Sequence, residues 1–378
     1  MKKKNPKNFL KRLPAGPDEL LGTLFECYRM ARRGKTNTDD QMKFEAFYVE
    51  NLENLCEDIL TRRYKPSRGK AFITHEPVMR EIFAAPFRDR IVHHLLYAIV
   101  APWWDKQFIY DSYSCRNEKG TDFAVERLQR AMRKVSRGGR VEATVIKGDL
   151  SGYFMSLNRK ILYEKVMWGL KRQFPEGGFL YDLCAYLWKE IIFDDPTINV
   201  RIAGRWSDWD ELPTNKSLFN QPDGQGIVIG NLTSQLLSNI MLNDFDWWMK
   251  CKMGFYYYGR YVDDFYIVVP KSEVRRAMKC MNNEIPAYLS EMGLTLHPNK
   301  KYVQDVKRGC PFLGKKVYLN AILPGKRYKR NFKKAMYKFV STGIGVDTVV
   351  SYIGMGKNMK VAGLQHNLIE GLGGVDWR

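Results

Sequence analysis

The sequence predicts an α+β fold, and three observations carry the prediction. Apolar residues recur at helical spacing over several long stretches. Short runs rich in β-branched and aromatic residues interrupt them. Two such runs, 255–258 and 265–269, flank Gly259-Arg260-Tyr261-Val262-Asp263-Asp264 and read as a β-hairpin. The chain has 378 residues, 45% hydrophobic and 27% charged, which is room for two or three domains and excludes wholesale disorder and fibrous classes.

In chain order, residues 19–33 carry Leu20, Leu21, Leu24, Phe25 and Tyr28 at helical spacing, and 39–63 continue with Phe44, Phe47, Tyr48, Leu52, Leu55, Ile59 and Leu60. Gly34-Lys35-Thr36-Asn37 separates the two. A short strand is expected at Lys70–Thr74, then helices near 89–100 and at Thr121–Val135, closed by the turn Arg137-Gly138-Gly139-Arg140. Residues 141–146 read as a strand that ends at Asp149, followed by helices at Arg159–Gln173, 230–250 and 272–292. Between 326 and 338 lie seven Lys and Arg with no acid, among them Lys329, Arg330, Lys333 and Lys334.

Charge narrows the function. Lys and Arg number 61 against 41 Asp and Glu, a net +20. That excess predicts a polyanionic partner, and nucleic acid fits best because every phosphate neutralised releases condensed counterions. A membrane partner is not expected. No run approaches the roughly 18 apolar residues of a membrane span, no basic amphipathic helix has an isolated apolar face, and residues 1–14 are basic without the apolar core of a secretory signal. The seven Cys are scattered and form no CxxC pair, as expected for reduced thiols in a cytoplasmic protein rather than a disulfide scaffold or structural zinc site.

Carboxylates point to the chemistry. Asp149 follows an apolar strand, and Asp263 and Asp264 sit at the turn of the hairpin. An Asp-Asp pair in a turn is ordinarily turn chemistry. Here it is flanked by Val262 and Phe265, where two adjacent carboxylates repel each other and resist burial unless a cation compensates. If the hairpin lies beside the Asp149 strand, three carboxylates converge and suit two hard divalent cations about 3.5–4 Å apart.

These motifs resemble those of reverse transcriptases, from about residue 70 to 320 and in that family's order. Asp149 to Phe154 is similar to the first catalytic motif, and Tyr261-Val262-Asp263-Asp264 to the tyrosine-X-Asp-Asp box. Leu296-His297-Pro298-Asn299-Lys300-Lys301 resembles the motif whose lysine protonates pyrophosphate, with Lys300 favoured by spacing and Lys301 the alternative. Phe312-Leu313-Gly314 resembles the primer grip. Arg80-Glu81-Ile82 and Phe87-Arg88-Asp89-Arg90 resemble bacterial fingers motifs, and 112–120 the segment whose Arg116 and Lys119 hold the incoming triphosphate. Phe154 stands where the family places the ring that excludes a 2′-hydroxyl. Within the family, Ile229-Gly230-Asn231-Leu232-Thr233-Ser234-Gln235 resembles the reverse transcriptases of diversity-generating retroelements. Ile229 replaces the usual Gln and Gln235 the usual Pro. Gly230 is expected to let backbone approach the nucleotide.

The resemblance implies a right-hand polymerase: an N-terminal helical extension at 1–70, fingers at 71–140, a palm of antiparallel sheet at 141–320 containing part of the fingers, and a small basic thumb at 321–378. It implies RNA-templated addition of dNTPs, with Asp149, Asp263 and Asp264 holding two Mg2+ ions for which Mn2+ can substitute. Lys300 would be the general acid, and the basic thumb a surface for template RNA and the RNA/cDNA duplex. It further implies adenine-directed misincorporation, transfer of the cDNA into a variable target gene, a small basic pentameric accessory protein as partner, and a bacterial or phage source. Loss of the polar Gln at position 229 offers a physical reason for loose base selection. A retron or antiviral-defence reverse transcriptase, and a non-catalytic RNA-binding protein on the same palm, are the competing readings. A group II intron maturase is disfavoured by the short chain after the thumb. Outside these motifs, His93 and His94 diverge by about 100° on a helix and are expected to serve core packing or hydrogen bonding rather than metal binding. Asp194-Asp195-Pro196 is expected to be a solvated loop, and Asp244 and Asp246 a polar helix face.

Overall fold

The computed structural model describes residues 10–33, 38–75 and 78–361. Its helices accompany three sheets whose pairings are antiparallel except at the short strand Arg201–Ile202, so the expected α+β class is observed. The chain forms two compact units. The first takes residues up to Tyr110, Leu150–Trp247 and Pro286–Leu296, and the second takes Asp111–Asp149, Trp248–Ile285 and the chain from His297 on. This partition interleaves the chain, whereas the boundaries implied by the resemblance run consecutively.

In the first unit, the helix Leu20–Arg32 buries Leu20, Leu24, Cys27 and Ala31 and packs on the helix Phe87–Gln107. The single helix expected over 39–63 is two, Asp39–Ala46 and Tyr48–Leu60, broken at Phe47 with φ −134° and ψ 43°. Thr38 caps the first of them by accepting from the Gln41 backbone N–H. The expected break at 34–37 lies outside the described residues. Phe87–Gln107 outruns its predicted span because it is buried nearly all round, which flattens the periodicity that marks helix ends. The helix Phe179–Phe193 was not predicted: it buries only Leu183, Cys184, Leu187, Trp188 and Ile192, but its composition is apolar on most sides, which hides that face in the sequence. His93 is a core residue as expected, its Nδ1 2.9 Å from the Thr233 hydroxyl. Burial pushes its pKa down to about 3, and His94 and Arg90 add to the shift.

Lys70–Thr74 forms as predicted and pairs with Arg80–Ala84, which was not predicted. The buried Glu81 carboxylate accepts from the Trp209 indole at 2.7 Å, and from the Ser217 hydroxyl and the Leu218 N–H at 2.6 Å each, so it pins the irregular chain between 206 and 218.

Two expectations for acidic residues are corrected. Asp194 is half-buried, and burial raises its carboxyl to about 6 against the pull of Arg159, whose guanidinium donates to the Asp194 carbonyl at 2.8 Å. Asp246 is fully buried, while Asp244 is exposed and ion-paired with Lys165. The helix expected over 230–250 is also interrupted, as Leu232–Met241, Asn243–Trp247 and a π-helical turn Trp248–Lys252.

The second unit is built on a four-stranded antiparallel sheet in the order Tyr258–Tyr261, Asp264–Pro270, Ala143–Asp149, Tyr302–Asp305. The helix Thr121–Val135 has the predicted bounds. It brings Ala124, Val125, Leu128, Ala131 and Met132 into one core with Ala143, Val145, Tyr266 and Val268. The first hairpin strand starts at Tyr258 rather than 255. The helix expected over 272–292 contains a π-helical turn, Cys280–Glu284. A smaller antiparallel sheet joins Cys310–Phe312, Lys315–Val317 and Ile322–Pro324. The helices Lys326–Thr342 and Val346–Gly356 follow, packed through Phe332, Met336 and Val349.

Candidate active site

Residues alternate faces along a strand, so Ala143, Val145, Lys147 and Asp149 share one face of their strand. Cross-strand pairing sets Tyr266 opposite Lys147 and Asp264 opposite Asp149. The Thr121–Val135 helix covers this face at Ala143, Val145, Tyr266 and Val268. The acids Asp149 and Asp264 stand at the other end of it. The hairpin therefore does lie beside the Asp149 strand, and two residues distant in sequence become a direct cross-strand pair. The turn itself has two residues, Val262 and Asp263, because Tyr261 already pairs with Asp264. Val262 has φ +56°. That left-handed region costs an L-residue roughly 1–2 kcal/mol, and a β-branched side chain suits it least.

Like charges directly opposite across a sheet are destabilising. Here two lysines offset them. Lys147 reaches diagonally to Asp264, Nζ to Oδ1 3.2 Å, and its ammonium also lies 5.3 Å from the centre of the Phe312 ring. Lys300 donates to Asp149 Oδ1 at 3.0 Å, and the His297 N–H donates to the Asp149 carbonyl at 2.8 Å. Lys301 bonds instead to Asn282 Oδ1 at 3.0 Å. Compensation is incomplete. Burial, then Asp149 and Asp264, push the Asp263 carboxyl up to about 6 against the pull of Lys300. Burial also raises Asp264, with Lys147 opposing and Asp149 adding to the rise.

Among the described residues, no group of three or more His, Cys, Asp or Glu side chains is arranged to hold a metal ion. Asp149 and Asp264 are engaged by ammonium groups instead. The donor chemistry nonetheless fits one class of ion. Three carboxylates, with no imidazole or thiolate among them, suit a hard divalent cation, and Asp263 and Asp264 are raised chiefly by burial, with neighbouring carboxylates adding to the rise.

Behind the hairpin lies a buried polar hub. Asp111 accepts from Arg127 Nε and Lys250 Nζ at 2.8 Å each, and from the Tyr113 hydroxyl at 3.0 Å, while the Tyr113 and Tyr266 hydroxyls are 2.6 Å apart. Burial alone would raise the Asp111 carboxyl, but Arg127 and Lys250 outweigh it and hold it below its usual range.

Of the other expected site residues, Arg116 donates to the Ser112 carbonyl at 3.0 Å, and Lys119 lies 5.9 Å from the Phe123 ring centre. Phe312 is buried and meets Tyr266 edge-on with centroids 5.4 Å apart. Leu313 and Gly314 form the two-residue turn that follows it, at φ +48° and +77°. Lys329, Arg330, Lys333 and Lys334 are all exposed. Lys326, Arg327, Lys329 and Arg330 crowd the start of their helix with no acid in its first turn, against the helix dipole. Stability would place cations at the other end.

Phe154, Ile229 and Gly230 belong to the first unit. Phe154 is half-buried and edge-on to Tyr153. Ile229 packs against the apolar cluster of Ala71, Phe83, Met155 and Leu218. Gly230 has φ +132°, and a Cβ there would come within 2.8 Å of the Phe83 carbonyl oxygen, so the backbone itself requires glycine.

Sequence reasoning missed Lys147, Arg260 and Asp111. The signal for Lys147 was available: a charge two residues before Asp149 in a strand must share its face.

No family model matches the chain. The chain is similar to Protein YkfC of Escherichia coli, 24% identical over an alignment of 307 positions that covers 72% of this chain and 72% of that protein. Among solved structures it is similar to telomerase from Candida albicans, determined in complex with a TWJ fragment of telomeric RNA. The TM-score is 0.48 and the identity 12%, and the match covers 88% of this chain and 58% of the telomerase chain, less than two thirds of the latter.

Proposed function

We propose that this protein is an RNA-directed DNA polymerase with a right-hand architecture, of the kind found in diversity-generating retroelements. One observation carries the catalytic part. Asp149 and Asp264 form a cross-strand pair, with Asp263 in the adjoining turn. In this reading, Asp149, Asp263 and Asp264 would hold Mg2+, or Mn2+ in its place, which when bound would supply charge neutralisation for phosphoryl transfer. Lys300, placed on Asp149 where Lys301 is not, donates the proton to pyrophosphate. Arg116 and Lys119 offset the triphosphate charge. The Phe312-Leu313-Gly314 turn supports the primer end, and the exposed cations at 329–334 bind the template–primer backbone. Phe154 excludes the 2′-hydroxyl of ribonucleotides.

The retroelement assignment rests on the sequence from Ile229 to Gln235. An isoleucine offers no hydrogen bond where most relatives have glutamine, and the enzyme accordingly misincorporates opposite template adenines. It works with a small basic pentameric accessory protein on its own template RNA. Primer extension on an RNA template with dNTPs and Mg2+ tests the reading: wild-type protein extends and Asp263→Asn does not. Equal extension by both, or none by wild-type protein in Mg2+ or Mn2+, refutes it. Sequencing the cDNA for changes at template adenines tests the finer assignment.

A further inference from the structure

The turn that carries Asp263 runs against its own chemistry. Two-residue hairpin turns with positive φ are normally supplied by Gly, Asn or Asp, yet the residue at φ +56° is Val262. A strained backbone persists only where its surroundings over-determine it. The Arg260 side chain reaches directly into this turn. Arg260 is fully buried, and its guanidinium donates to the Val262 carbonyl at 2.7 Å and to the Ser112 hydroxyl at 3.4 Å. The Arg260 backbone is fixed from the same side: its N–H donates to the Asp111 carbonyl at 2.9 Å, and its carbonyl accepts from the Tyr113 N–H at 3.0 Å. The planar fork of a guanidinium holds two acceptors in one fixed geometry, which a lysine ammonium cannot reproduce.

We propose that Arg260 is a positioning residue that clamps the Val262 carbonyl, and so keeps the Asp263 carboxylate beside the Asp149–Asp264 pair. The same guanidinium ties the turn to Ser112, whose carbonyl bonds Arg116. The clamp thus registers the carboxylates with the segment proposed to meet the triphosphate. This inference rests on the polymerase reading of those carboxylates. The geometric part, that Arg260 holds the turn, can be measured without it.

The test uses the full chain in four variants, R260Q, R260K, V262G and R260Q/V262G, melted in parallel by circular dichroism. Misplacing a reacting group by about 1 Å costs on the order of 100-fold in rate. R260Q is expected to lower kcat for primer extension by about that factor, with KM for dNTP within about threefold, and R260K to fall between. Glycine accepts positive φ without restraint, so in the V262G background the R260Q loss should shrink to about tenfold or less. Equal losses in both backgrounds, or no loss in either, overturn the clamp. If R260Q does not fold, R260K against R260K/V262G carries the same comparison. The Val262 13Cα shift in valine-labelled protein reports the turn directly, and R260Q should move it. An unmoved shift overturns the clamp whatever the activity. If wild-type protein does not extend primers and R260Q still moves the shift, the polymerase reading fails and the clamp stands.

Discussion

Two hairpins of the second unit reverse direction on two residues each. At Leu313-Gly314 both residues have positive φ, and glycine occupies the steeper of the two positions. This follows the mirror-image turn preferred between twisted strands, although Leu313 itself bears some strain. At Val262-Asp263 the positive φ falls on a β-branched residue, and the next position holds a carboxylate beside two others. The first turn follows the local preference of the chain. The second departs from it twice, in backbone and in charge, and is held by groups around it. Stability alone would select the first pattern in both places, and a departure from it is what the proposed catalytic role of this turn requires.

The largest expected contrast comes from Asp263→Asn. Removing one preorganised electrostatic group from an active site costs about 10²–10³-fold or more in rate, and extension should fall by at least that much. Stability should move the other way. Asp263 sits at about 6 rather than 3.8, so the folded state binds its proton more tightly than the unfolded state. In the metal-free protein, stability therefore falls as pH rises from about 4 through about 6. One unit corresponds to about 1.4 kcal/mol, and partial exposure discounts the sum. Asp263→Asn should then gain on the order of 1–2 kcal/mol at pH 7.5 and nothing at pH 4, as read by thermal or urea unfolding at both pH values. A loss of stability at pH 7.5 breaks the comparison.

The basic helix extends the comparison to a surface. Reversing the charge of Lys329, Arg330, Lys333 and Lys334 together should flatten the slope of log affinity against log salt for template–primer by about 0.7–0.9 for each phosphate no longer neutralised. Acids near that helix start should also raise its stability by a few tenths of a kcal/mol each. An unchanged slope would place these cations in plain solvent.

Gly314→Val tests the conforming turn. At φ +77° a β-branched residue is strained, and the expected cost is about 1–3 kcal/mol in urea unfolding. A cost below about 0.5 kcal/mol would mean that this turn is no more dependent on its residue than the other.

The smallest effect is expected at Ile229. Ile229→Gln brings an amide into the apolar cluster around Phe83 and Leu218, at a cost of about 1 kcal/mol in stability. In return, a hydrogen bond worth roughly 0.5–1.5 kcal/mol near the incoming base should lower adenine misincorporation by a few-fold, up to about tenfold. Identical error spectra from the two proteins on one template would reduce Ile229 to packing alone.

What the sequence disclosed depended on how local the signal was. Thr121–Val135 and Arg159–Gln173 have one apolar and one polar side, and their ends were readable to the residue. Phe179–Phe193 is apolar on most sides and was invisible to periodicity. The strands Arg80–Ala84, Tyr302–Asp305 and those after Cys310 are three to five residues long, too short for alternation to register. The three carboxylates were legible because turn chemistry and flanking apolar residues set them apart. Of the groups that hold them, Lys300 was legible from its motif, whereas Lys147 and Arg260 were missed, since a lone Lys or Arg in a strand ordinarily reads as a solvent-facing charge. Asp246 failed in the same way, because sequence shows charge but not which charges are enclosed.

The interleaved second unit has a consequence for how the protein is made. The Asp149 strand lies between two neighbours, and both arrive later in the chain: the hairpin strand ending at Pro270 and the edge strand Tyr302–Asp305. At roughly 5–20 residues per second of synthesis, on the order of ten seconds separate the emergence of Asp149 from that of Asp264. Throughout that interval Val145 and Ile146, fully buried in the finished protein, belong to a strand with two open edges. Unpaired apolar edges recruit other strands, so the ribosome-bound chain is expected to be prone to aggregate at the Asp149 strand. Slowing translation between residues 150 and 260 should lower soluble yield more than slowing it after 305, and a holdase that shields the nascent strand should restore the difference.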